Sequence, residues 1–72
     1  MKLNPKKLLH SKWTAAVPQN KEKHFIVIKL ILGDEADAPI ETIELEAVHS
    51  KRTQIIAWRE LYNDDAWRQG WI

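Results

Sequence analysis

The chain has 72 residues, a formal net charge of +1, 44% hydrophobic residues and four tryptophans, with no cysteine. Disulfide frameworks and Cys-based zinc sites are therefore excluded, and no segment approaches the roughly 20 apolar residues that span a bilayer. One domain is expected, held by apolar packing, because a chain of this size buries only about 60% of the surface it exposes when unfolded. The early lysines are followed only by Leu8 and Leu9, so no signal peptide is expected and a reducing, cytoplasmic setting is.

In chain order, residues 3–8 predict a short helical start. Asn4 suits an N-cap, Pro5 suits the first helical position, and Leu3 and Leu8 stand at staple positions. Lys6 and Lys7 oppose the helix dipole and limit it to a turn or two. Residues 12–17 alternate, with Trp13, Ala15 and Val17 to one side, which predicts a short edge strand ended by Pro18. The run HFIVIKLIL over residues 24–32 is the clearest strand, β-branched and free of breakers. Ile26, Ile28, Leu30 and Leu32 share one face, while Phe25, Val27 and Ile31 share the other with Lys29. A strand apolar on both faces is expected to be central and covered on both sides.

Residues 33–39 read as a polar loop. Residues 40–48 then alternate, Ile43, Leu45 and Ala47 against Thr42, Glu44 and Glu46. The two runs predict an antiparallel hairpin that pairs Ile28 with Leu45, Leu30 with Ile43 and Ile26 with Ala47, and sets Lys29 opposite Glu44. After a polar turn at 49–52, residues 53–58 read as a third long strand with Gln54, Ile56 and Trp58 toward the core. A closing helix is expected from the N-cap Asn63, the acidic first turn of Asp64 and Asp65, the staple pair Tyr62 and Trp67, and the C-cap Gly70, with Trp71 folded back. The fold class predicted is mainly β, either all-β or α+β. It is a curled three- to four-stranded antiparallel meander or small open barrel, with short helical turns at both ends.

The segments KLLHSKWTA (residues 7–15), EKHFIV (22–27), LEAV (45–48), WREL (58–61) and WRQGW (67–71) together resemble the short tryptophan-rich bacterial proteins of unknown function found in cyanobacteria and some proteobacteria. They cover the chain nearly end to end. The resemblance implies a bacterial setting and carries over no catalytic residue, ligand or partner.

Charge is distributed in blocks. Residues 1–29 hold seven lysines against Glu22, and residues 30–46 hold six acids with no base. The Lys29–Glu44 pairing predicts that these blocks partly neutralise each other across the hairpin. His10, His24 and His49 fall on separate elements without a metal-ligand spacing, so no metal is expected. The carboxylates lie in a loop or on an alternating solvent face, and no serine or threonine sits in a nucleophile-elbow context. Neither enzyme nor cofactor is predicted.

The functional signal is the interleaving of aromatic and basic residues: Lys12 with Trp13, Lys23 before Phe25, Trp58 with Arg59, and Trp67 with Arg68. Trp13, Trp58, Arg59, Trp67, Arg68 and Trp71 are the candidate binding surface, with Lys12 and Lys23 in electrostatic support. Tryptophan and arginine dominate interface hot spots, and a near-zero net charge favours a protein partner or a second copy of the chain. The alternative is nucleic acid or a ribonucleoprotein, bound by base stacking and Lys/Arg contacts. Either use requires at least one tryptophan more than about a third exposed; otherwise all four serve the core.

Overall fold

The computed structural model describes residues 5–33 and 39–72. The predicted N-cap Asn4, the staple residue Leu3 and most of the polar loop lie outside them. Five strands form one antiparallel sheet: β1 (Lys12–Gln19), β2 (Glu22–Leu32), β3 (Ile40–Ala47), β4 (Thr53–Ala57) and β5 (Trp67–Gln69). The spatial order is β4-β3-β2-β1-β5, so the sheet is open with β4 and β5 at its edges. Two 3-10 turns, Pro5–Lys7 and Trp58–Tyr62, complete the regular structure of the described residues. The protein is mainly β, and no helix among these residues is long and apolar enough to cross a membrane.

The closing helix is replaced by β5. Its capping signals are spent on a single turn: Asn63 Oδ1 accepts the Asp65 N–H at 3.0 Å, and the Asn63 carbonyl accepts from Ala66 and Trp67 at 3.0 and 2.9 Å. A helix of two turns carries the full nucleation cost for few hydrogen bonds. Residues 67–69 instead pair with the free flank of β1, matching Trp13 with Gln69, Thr14 with Arg68 and Ala15 with Trp67. This makes β1 an interior strand rather than the edge its ending at Pro18 suggested, and raises the strand count to five.

The β2–β3 hairpin has a bulge that corrects the predicted register. Lys29 stands opposite Glu44 and Leu30 opposite Ile43, as the cross-strand pattern requires, but Val27 then meets Leu45 and Phe25 meets Ala47. Ile28 is the extra residue, and it exchanges the faces of the strand on either side of it. Phe25 and Val27 are consequently buried, whereas Ile28 is 37% exposed. Ile43, Leu45 and Ala47 of β3 are fully buried, as their alternation predicts.

The inner face of the sheet carries the core. Trp13, Phe25, Val27, Ile43, Leu45 and Ala47 are joined there by Leu8 from the first turn and Leu61 from the second. After β4 the chain crosses this face, and the Trp58–Tyr62 turn packs on β3 and β5 on its way to the opposite edge. Trp58 and Ile56 pack against the core as expected, while Gln54, directly opposite the buried Leu45, stays exposed. The molecule is a slab measuring 38 × 26 × 16 Å. With sheets packing about 10 Å apart, that thickness corresponds to one sheet and a thin cover.

The β1–β2 connection is a two-residue turn in which both Asn20 (φ 54°) and Lys21 (φ 62°) are left-handed. Such turns suit strand twist, and favour Asn then Gly. Lys21 pays the usual side-chain penalty of about 1 kcal/mol in that region. We expect Lys21→Gly to stabilise the protein by about 0.5–1 kcal/mol in urea or thermal unfolding.

Candidate functional site

The structure divides the candidate residues among the core and two surfaces. Trp13 is 2% exposed, with its Nε1–H donated to Ser11 Oγ at 2.8 Å. It is a core residue and not part of a binding surface, because its side of β1 faces Leu61 and the crossing turn. Trp58 is half-buried on that turn, its ring 5.7 Å from Tyr62 and 5.6 Å from the Arg59 guanidinium. Lys23 is exposed on β2, one residue before His24, and so points to the alternate side of the strand.

On the inner face, the end of the sheet nearest the β1–β2 turn is left open by the crossing chain. This leaves a groove of about 520 Å³. Its floor includes Ala15, Phe25 and Trp67, the two rings meeting edge to face at 5.2 Å and 85°. Glu22 and Arg52 stand on its rim. The Glu22 carboxylate accepts a hydrogen bond from Ser50 Oγ and lies 3.9 Å from Arg52 Nη1. The Arg52 side chain is 69% exposed, so this ion pair adds little to stability. The groove was not legible in the sequence, because its walls come from three separate connections.

The outer face is built differently. Lys12 and Thr14 of β1, His24 and Ile26 of β2, Glu44 and Glu46 of β3, Ile55 of β4 and Arg68 of β5 share it through the strand pairings. Gly70 (φ 86°), in a region that disfavours side chains, turns the chain from β5 across this face. The buried hydroxyl of Thr14 then ties the segment down. Oγ1 donates to the Gly70 carbonyl at 2.6 Å and accepts the Ile72 N–H at 3.1 Å.

Trp71 is thereby laid over β1 and β2. Its Nε1–H donates to the Phe25 carbonyl at 3.0 Å, Lys12 Nζ lies 4.8 Å from its ring, and the His24 ring is 5.8 Å away. His24 Nε2 in turn lies 3.2 Å from the Ile72 carbonyl oxygen. Despite these contacts the indole remains 42% exposed, above the third that a recognition role requires. Lys12, Trp71 and Arg68 are therefore brought to one corner of the face. Trp58, Arg59 and Trp67 lie elsewhere. Thr14 and His24, which hold the corner together, carry no sequence signal, since their partners lie 47 to 58 residues away. Among the described residues, no three histidine or carboxylate side chains are grouped to hold a metal ion.

These features define a small antiparallel β protein in which tryptophans both fill the core and mark the surface. The chain belongs to the tryptophan-rich protein family DUF2389, whose family model matches residues 11–72. No curated protein and no solved structure matches it. The family read from the tryptophan-bearing segments is thus the chain's own.

Proposed function

We propose that this protein is a non-enzymatic protein-interaction module whose binding surface is the outer face of the sheet, with Trp71 as its anchor. The observation that carries this reading is a tryptophan held rigidly by Phe25, His24 and Lys12 and still 42% exposed. Interface hot spots are aromatic anchors of this kind, and holding the ring in place beforehand lowers the entropy lost on binding. On the same face stand Ile26 and Arg68, a mixture of apolar and guanidinium groups typical of interface centres.

The same corner has the basic groups needed for a phosphate backbone, in Lys12 and Arg68. Glu44 and Glu46, on the adjacent part of the face, oppose that use by like-charge repulsion. A protein partner therefore fits the face better than nucleic acid.

The test is affinity capture with the immobilised protein from lysate of its own source, with and without nuclease, washed at low and high salt. A protein partner that survives nuclease and high salt supports the proposal. Trp71→Ala should weaken its binding by at least about 2 kcal/mol, roughly 30-fold in Kd, with the far-UV spectrum unchanged. Recovery of nucleic acid that high salt removes would replace this reading with phosphate recognition. A partner bound equally well by Trp71→Ala would remove the anchor role.

A further inference from the structure

The β4 edge carries an inference that goes beyond the outer-face reading and does not depend on it. Native sheets protect their edges with charged side chains, proline, bulges or very short strands, because an open edge pairs with other chains. The β5 edge follows this rule, with three residues and Arg68 at its centre. The β4 edge does not. Its sequence is TQIIA, with no charge and no proline, and its pairing with β3 has no bulge.

The direction of its hydrogen bonds follows from the ladder. The Ala47 N–H donates to the Arg52 carbonyl at 2.8 Å. Hydrogen-bonded pairs recur at every second residue of an antiparallel ladder. Leu45–Gln54 and Ile43–Ile56 are then the next such pairs, and they turn the main-chain groups of Gln54 and Ile56 toward β3. Thr53, Ile55 and Ala57 turn theirs away from the sheet. The Ala57 carbonyl is at the N-cap of the following 3-10 turn, which leaves its N–H for the edge.

We propose that a second copy of this chain pairs with that edge, β4 against β4 in antiparallel order, about a two-fold axis at Ile55. The outward-facing residue at the strand centre is the one a two-fold axis needs. Ile55 exchanges both main-chain bonds with Ile55 of the second copy. Each Ala57 N–H meets the opposite Thr53 carbonyl, which brings the total to four bonds.

No side chain in the strand is charged, so none faces its own like charge across the axis. The nearest acids, the two Glu44 residues, sit one strand further in on each side. They are about 14 Å apart at the usual strand spacing, beyond the Debye length of about 8–10 Å. Ile55, 60% exposed in the single chain, is covered by its counterpart. The same register brings Arg52 of one copy toward Trp58 of the other. Interfaces below about 1,200 Å² in total are of the weak, reversible class, and a five-residue edge belongs there.

The test is sedimentation equilibrium together with amide hydrogen exchange, from about 10 µM to about 1 mM, the range in which such contacts dissociate. Dimer should accumulate across this range. Exchange should slow with concentration at Ile55 and Ala57, while Gln54 and Ile56 stay protected throughout. Ile55→Lys, at an exposed position, should keep the fold and weaken dimerisation by at least 30-fold, because it sets two ammonium groups side by side. Trp71→Ala should leave both the dimer and the exchange pattern unchanged, so failure at the edge is distinct from failure of the outer-face reading. A monomer across the whole range, or a dimer that leaves the Ile55 and Ala57 amides unprotected, would overturn the proposal.

Discussion

Trp13→Ala is expected to destabilise the protein by about 3–5 kcal/mol in urea unfolding, the range for removing a large buried aromatic side chain. The native state of 72 residues has only about 4–11 kcal/mol in total, so the variant should be partly unfolded at room temperature. Trp13 is the largest side chain of the core and is almost completely covered. It also lies between Phe25 of β2 and Gln69 of β5, under Leu61, so it joins elements from the beginning, middle and end of the fold. Trp13→Phe should lose distinctly less, because a ring still fills much of the space. A loss below about 1 kcal/mol for Trp13→Ala would mean that the indole is not the centre of the core.

The second large effect is a contrast between neighbours. Val27→Lys should abolish the folded state, whereas Ile28→Lys should cost less than about 1 kcal/mol. Val27 is 0% exposed and packed against Leu45, so a lysine there takes an unpaired charge or its neutral amine into the core. Ile28 is the bulged residue and reaches solvent. Circular dichroism and urea unfolding of the two variants read the contrast directly. The reverse order of effects would place Ile28 in the core and remove the bulge.

That pair also marks where sequence reading stops. Period-two alternation identified β2, β3 and β4, the buried row Ile43, Leu45 and Ala47, and the Lys29–Glu44 pairing. An unbroken alternation through HFIVIKLIL placed Ile26 and Ile28 inward. With apolar residues on both faces, the segment has no hydrophobic signal that one register violates. The bulge therefore leaves no trace in the composition of β2. The closing helix failed for a different reason. Its capping residues are genuine and act locally at Asn63, but the competing strand draws its hydrogen bonds from β1, far away in sequence. The candidate surface divides along the same line. Trp71 could be singled out as a tryptophan beyond a turn-forming glycine. Its clamp of Thr14, His24 and the Phe25 carbonyl depends on that distant pairing.

The joining of β5 to β1 has a consequence for how the molecule comes into being. The Thr14 hydroxyl and the Gly70 carbonyl that it binds are 56 residues apart. During synthesis, at about 5–20 residues per second from the N-terminal side, β1 emerges early and its second neighbour late. Until residues 67–72 are available, one flank of β1 has no strand beside it and the Thr14 hydroxyl has no partner. Closing so long a loop slows folding, because the entropy is lost before the contacts that compensate for it form. The nascent domain should therefore stay sensitive to proteases until residues 67–72 have emerged, and become resistant in a single step once they pair with β1.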